Sequence, residues 1–344
     1  MVKNIAITSL SRGILGEKFI KFEKDIGLKR LEEMGLNVSF TENALKGLDY
    51  INGHPEKRAE DLISSLKDRN IDTILCAIGG EDTYRLLPFL FENNELSEAV
   101  KDNNKIFLGY SDTTMNHLML YKAGLNTFYG QSFLSDICEL EDDMLPYTKK
   151  YFTELIQTGR IKEIKPSPVW YESRKAFSED QIGTKLVSHK AKGFELLQGK
   201  DIFHGKILGG CIDTLFDIFD GTRFSDSPLL CKKYSLFPSL EDWRGKILLL
   251  ESSEEKATPE KYTRMIRTLK DTGIFNVISG VIVGRPADEM YAEEYKKILL
   301  TETGNKELPI VFNINIGHSM PRCIIPFGID AEVSVKEQRI TFNY

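Results

Sequence analysis

Apolar positions along the chain fall into two alternating patterns. Short continuous apolar runs at Asn4 to Leu10, Thr73 to Ile78 and Lys105 to Leu108 have the length and β-branched content of buried strands. Between them the apolar residues space out. Glu56 to Asn70 sets Ala59, Leu62, Ile63 and Leu66 on one face of a helix. Gly16 to Met34 follows the same spacing, and Asp142 to Gly159 reads as a helix closing the first half. Strand and helix in alternation imply βαβ units on a mostly parallel sheet. The second half resumes with strands near Ile202 to Leu208, Lys246 to Leu250, Val277 to Val283 and Pro309 to Asn313. A helix there places Tyr262, Met265, Ile266 and Leu269 on one face, and Ala331 to Phe342 alternates like a β-hairpin turning at Lys336 to Gln338.

Between these halves, Ile161 to Gly205 mixes Pro166, Pro168, serines and charges with weak periodicity, as a crossover with an inserted loop would. The expected division is an α/β domain over residues 1–165, a crossover over 166–200 and a second domain over 201–344. A chain of 344 residues fits two domains of the usual ~100–200 residues each, with a core large enough to need no disulfide or structural metal.

Charge and cysteine content narrow the function classes. A net charge of −6 argues against a nucleic-acid partner, which needs clustered Lys and Arg. The five cysteines are scattered with no CxxC pair, a usage that suits a reducing compartment and excludes a zinc ribbon. Met1 to Gly13 lacks the apolar core of a signal peptide, and runs such as Ile247 to Leu250 are too short to cross a bilayer. The expected location is the cytoplasm, with no membrane partner.

Four places can carry chemistry. In Gly109-Tyr110-Ser111-Asp112-Thr113-Thr114 a buried strand passes into a helix within two or three residues. A serine on such a corner exposes its hydroxyl beside helix N-terminal N–H groups, the logic of a nucleophile elbow, although GxSxG is not written here. Ser111 or Asp112 as a plain helix cap is the other reading. Gly79-Gly80 ends a preceding strand, and an N–H there with that of Asp112 would make an oxyanion hole; an ordinary strand-exit turn explains the glycines equally. Neither GxGxxG nor a P-loop occurs in the chain. Of the five histidines none forms an HExxH pair, and His117 sits mid-helix among apolar residues. His318, after Asn315-Ile316-Gly317 and before Pro321, lies on a loop and is the better base candidate. Glu251 closes a buried strand, either to orient a histidine or as one more residue of the acidic stretch to Glu255.

Taken together these segments resemble the LD-carboxypeptidase family, which includes the microcin C self-immunity proteins. Gly79-Gly80 followed by Arg85-Leu86-Leu87-Pro88 is similar to its GG…RLLP element, and Gly109 to Thr114 to its nucleophile segment. Lys206-Ile207-Leu208-Gly209-Gly210-Cys211 resembles its GxxxGGN element with Cys211 where Asn is usual, and Gly317-His318 before Pro326-Phe327-Gly328 resembles its GH…P-x-G ending. The four occur in family order across nearly the whole chain.

The resemblance implies a Rossmann- or flavodoxin-like N-terminal domain, a smaller β-rich C-terminal α/β domain and a homodimer. It implies Ser111 as nucleophile, Glu251 as acid and His318 as base, and a serine peptidase needing no metal or organic cofactor. The backbone of Asp112 and of Gly79 or Gly80 would hold the oxyanion. The expected substrate is a small peptide or peptidyl-nucleotide. The immunity branch cleaves an amide between a terminal aminoacyl group and a nucleotide-like group; classical members trim D-Ala from cytoplasmic muropeptide tetrapeptides in peptidoglycan recycling. The extra stretch carrying Trp170-Tyr171 leans toward the former, since an exposed Trp170 would stack on a base, although Trp170 packed onto the core serves equally. Glu81, Asp82 and Arg322 are further substrate-binding candidates, Arg322 for a carboxylate or phosphate, although a plain surface arginine explains it equally. The same architecture would also suit a non-catalytic small-molecule binder.

Overall fold

The computed structural model describes residues 2–101 and 103–344. Two sheets organise the chain. The first has six strands in the order Ile325–Pro326, Phe128–Tyr129, Ile106–Gly109, Thr73–Cys76, Asn4–Thr8 and Asn37–Phe40, all parallel except the short first one. The second has eight. At its centre Ile202–Cys211, Ile247–Glu251, Gly280–Gly284 and Ile310–Ile314 run parallel, and antiparallel strands flank them. The strands Thr73–Cys76, Ile106–Gly109, Ile247–Glu251, Gly280–Gly284 and Ile310–Ile314 are buried throughout, which is why they read as continuous apolar runs, whereas the edge strand Asn37–Phe40 is not.

The helices follow from capping as much as from periodicity. The helix Pro259–Asp271 begins where Thr258 Oγ1 accepts from Lys261 N–H at 3.3 Å, with a proline in its first turn, where no N–H is needed. It buries Tyr262, Met265, Ile266 and Leu269, each contributing on the order of 1.5–3 kcal/mol by removal from water. The helix expected from Asp142 starts at Pro146 instead, since proline belongs in a first turn, and stops before Gly159 at φ +69°. Likewise Ile14 to Ile20 forms two short 3-10 turns, and the helix begins at Lys21.

Residues read as a crossover contain more regular structure than weak periodicity suggested. Val169–Tyr171 pairs with Ser188–Lys190 as a hairpin, and Glu195–Gln198 is the edge strand of the second sheet. The halves are also interlocked: Glu163–Ile164 joins the second sheet and Ile325–Pro326 the first. One buried apolar cluster runs through both sheets. Among the described residues, no helix is long and apolar enough to cross a membrane.

Candidate active site

The carboxyl ends of both parallel sets converge, the usual place for a ligand in open α/β sheets. Gly79-Gly80 and Ser111 leave the first sheet there. Cys211 and Glu251 are the last residues of two neighbouring strands of the second, paired in register, and Gly317-His318 follow a third.

Ser111, His318 and Glu251 form one hydrogen-bonded chain. His318 Nε2 lies 3.0 Å from Ser111 Oγ, and His318 Nδ1 lies 2.8 Å from Glu251 Oε2. The His318 backbone N–H also donates to that oxygen at 3.2 Å. Ser111 sits at φ +69°, a left-handed conformation that costs an L-residue about 1–2 kcal/mol and turns its side chain off the strand end. Two glycines make the approach possible. A Cβ on Gly79 would stand 2.7 Å from Ser111 Oγ, and one on Gly317 (φ +83°) would collide with the Glu251 carboxylate.

Glu251 is 1% exposed, so its charge must be met by donors. The third donor is Tyr129, whose hydroxyl gives a 2.6 Å hydrogen bond to Oε1. The same hydroxyl accepts from the Ser111 backbone N–H at 3.1 Å and stands 3.4 Å from Thr114 Oγ1. Burial and the Glu251 charge raise the Tyr129 phenol well above its ordinary value, so it stays a donor. Burial alone would push the His318 imidazolium down. The charge of Glu251 and its hydrogen bond, with those of Glu254 added, outweigh burial and carry the group from 6.5 up to about 10. Glu254 supplies its part through Oε2, 3.0 Å from His318 Nε2, and His318 draws its carboxyl down to about 2.

The other expected residues are placed as follows. Asp112 is buried; its Oδ2 accepts from Ser11 Oγ (2.6 Å), Thr83 Oγ1 (2.6 Å) and Thr83 N–H (3.0 Å). The side chain thereby ties the turn after Gly79-Gly80 to the Ser111 corner, with Gly79 packed against Ser111 Oγ and Asp112 N. Asp82 is taken up by the buried Arg58, at 2.6 Å, and by Arg85 at 3.1 Å, while Glu81 is exposed on the same turn. Arg322 does not face solvent. Its Nη1 pairs with Asp136 at 2.8 Å, its Nε donates to the Gly317 carbonyl, and its guanidinium lies 4.7 Å over the Tyr110 ring. Tyr110 meets the His318 ring edge-on at 5.1 Å, so this group of three braces the histidine. Trp170 is 8% exposed rather than presented to solvent. One face stacks on His189 at 4.4 Å, and the Arg285 guanidinium lies 5.8 Å from its ring. The hairpin carrying it does reach the site loop, because Tyr171 N–H donates to the Met320 carbonyl. His117 is buried between Thr127 Oγ1 and the Gly109 carbonyl, and burial lowers it to about 3, a neutral core histidine.

Tyr129, Tyr110 and Glu254 are not among the site candidates offered by the sequence, and Cys211 is marked there only as a departure from the family element. Tyr129 ends a two-residue strand with no pattern around it. Cys211 Sγ lies within 4.8 Å of the ligating atoms of Glu251 and His318, and its one signal was its place where Asn is usual.

Comparison with known proteins decides the family. The LD-carboxypeptidase N-terminal domain matches residues 5–130 and the C-terminal domain residues 204–333. The chain belongs to the LD-carboxypeptidase family. Members are serine peptidases, so this LD-carboxypeptidase relative is a hydrolase. Over 321 residues it is 27% identical to a probable murein peptide carboxypeptidase of Bacillus subtilis, covering 91% of this chain and 85% of that one. It is 25% identical over 327 residues to the microcin C7 self-immunity protein MccF of Escherichia coli, covering 92% and 87%. Among solved structures, an MccF-like protein from Streptococcus pneumoniae in complex with AMP is 59% identical with a TM-score of 0.98, covering 100% of this chain and 99% of that one.

Proposed function

We propose that this LD-carboxypeptidase family member is an immunity-type amide hydrolase acting through Ser111, His318 and Glu251. Its bond is the amide between an aminoacyl or peptidyl carboxyl and a nucleotide-like group. The observation that carries the reading is the hydrogen-bonded chain Ser111 Oγ–His318 Nε2, His318 Nδ1–Glu251 Oε2, at 3.0 and 2.8 Å.

Ser111 Oγ attacks the scissile carbonyl while its proton passes to His318 Nε2. Glu251, held by Tyr129, keeps the Nδ1–H tautomer and stabilises the imidazolium. The carbonyl electrons collect on oxygen, met by the N–H of Asp112 and one from Gly79 or Gly80; a single such donor is worth about 3–4 kcal/mol. On collapse the C–N bond breaks, and Nε2 hands its proton to the leaving nitrogen. Water then repeats the sequence on the acyl-serine and frees the carboxylic acid.

The nucleotide-like half of the substrate is inferred from likeness to the AMP-bound S. pneumoniae protein, 59% identical across the whole chain. Trimming of D-Ala from muropeptides is the second reading, favoured by likeness to the B. subtilis murein peptide enzyme. Arg322, the residue the sequence offered for a carboxylate, is spent on Asp136 and Gly317. The proposal includes a cytoplasmic homodimer, with the dimer checked by light scattering.

Aspartyl sulfamoyl adenosine, found with MccF, and an LD-linked tetrapeptide make a paired assay for the purified protein. We expect release of aspartate from the first and loss of turnover in Ser111→Ala with folding intact. Release of D-Ala alone would transfer the protein to the second reading, and turnover undiminished in Ser111→Ala would reject the triad.

A further inference from the structure

His318 Nε2 has two partners in the free protein. Ser111 Oγ and Glu254 Oε2 each lie 3.0 Å from it. Ser111 Oγ can either donate to that nitrogen or accept from it, but the base role toward Ser111 and the contact with Glu254 need opposite states of the ring. Glu254, drawn down to about 2, is ionised and can only accept, so its contact requires a proton on Nε2. Nδ1 already gives its proton to Glu251, so the ring facing Glu254 is an imidazolium. A base for Ser111 needs the Nε2 lone pair instead. The two arrangements exclude each other.

Position adds a second argument. Nε2 is the atom that protonates the leaving nitrogen, so a group on its open side stands where the leaving group must stand. Glu254 is the one residue of its turn built to leave. Its side chain is 74% exposed, while both flanks are tied down. Ser253 N–H donates to Asp213 at 3.0 Å, Glu255 pairs with Arg223 and Lys261, and Lys256 pairs with Asp288. The side chain can swing without moving the backbone of the turn.

We propose that Glu254 holds the leaving-group position on His318 in the free enzyme, so that bound substrate must evict it before His318 can serve Ser111. Glu254 is thus a positioning residue that acts through the histidine. The proposal rests on the triad reading. Other groups also face the imidazole. They are Glu251 from its strand end, Tyr110 and Ser111 from the strand–helix corner and Cys211 from the neighbouring strand. Arg322 on the histidine's own loop is already neutralised by Asp136.

The pH dependence of kcat and kcat/KM for Glu254→Gln and Glu254→Ala separates this role from a structural one. Because kcat/KM reports the free enzyme, its acid limb should move down by about one unit, with a roughly five- to tenfold gain at pH 7. Saturated kcat, where substrate has already displaced the side chain, should stay within about twofold of wild type. A readout without turnover is the NMR titration of the His318 ring in Ser111→Ala, compared with Ser111→Ala/Glu254→Ala. The double variant should titrate lower. An unmoved ring titration and acid limb, or a kcat that falls together with kcat/KM, would overturn the proposal. Activity retained by Ser111→Ala would instead strike the triad, while the ring titration still decides whether Glu254 holds the histidine.

Discussion

Tyr129 offers the cleanest perturbation of the site, because Tyr129→Phe removes one oxygen and leaves the packing. The ring stacks on Phe327 at 5.2 Å and meets His117 at 5.2 Å, and phenylalanine keeps both contacts. What goes is the hub of three polar contacts in a fully buried position. The 2.6 Å bond to ionised Glu251 is of the charged type, worth about 1.5–3 kcal/mol. The Ser111 N–H, left without its acceptor, adds about 1–3 kcal/mol of desolvation. The Thr114 hydroxyl, at 3.4 Å, can turn elsewhere and adds little. A water filling the gap would recover part, so the expected loss is about 2–4 kcal/mol by urea unfolding at pH 7. The same variant frees one oxygen of Glu251 and unpins the Ser111 backbone, so kcat should fall about 10–100-fold, roughly 1.4–2.7 kcal/mol of barrier. A loss below about 1 kcal/mol together with kcat within twofold would refute the claim that this hydroxyl holds the acid and the nucleophile together.

Two further outcomes follow from the same geometry. Because Ser111 sits at φ +69°, Ser111→Gly should be more stable than Ser111→Ala by about 1 kcal/mol in urea unfolding, with both inactive; equal stability would remove the strained corner. Folding raises His318 from 6.5 to about 10, so its stabilising contribution is complete below pH 6.5 and is lost as pH climbs through about 10. Urea midpoints should therefore drop between pH 7 and pH 10 more steeply in wild type than in His318→Gln, and parallel slopes would contradict the pairing with Glu251.

The strands carrying the site could be read from the chain because parallel strands buried on both faces leave unbroken apolar runs. Ile247 to Leu250 advertised the strand whose last residue is Glu251, and Ile106 to Leu108 the one before Ser111. Ser111 and His318 stand in Gly-containing motifs at strand exits, whereas Glu251, with no glycine beside it, entered the set only through the resemblance to the family. Trp170 was harder. The weak periodicity of its segment hid a hairpin, and only the partner strand, with His189 against the indole, determines whether an aromatic faces solvent. Arg322 looked free because nothing near it in sequence could neutralise it; its partner Asp136 is far away in the chain.

Local sequence, then, determined the family, the alternation of strand and helix, and the three residues that meet at the sheet ends. The alternation depends on periodicity, which a linear pattern carries, whereas the family and the three residues followed from the resemblance of ordered motifs to known members. Tertiary structure alone decided which charges are spent and which are poised. It bound Arg322 to Asp136, set Tyr129 between Glu251 and Ser111, and laid Glu254 against the nitrogen that Ser111 needs. The reason is electrostatic: a side chain's charge and proton depend on burial and on neighbours within a few ångströms, and strands far apart in sequence supply those neighbours.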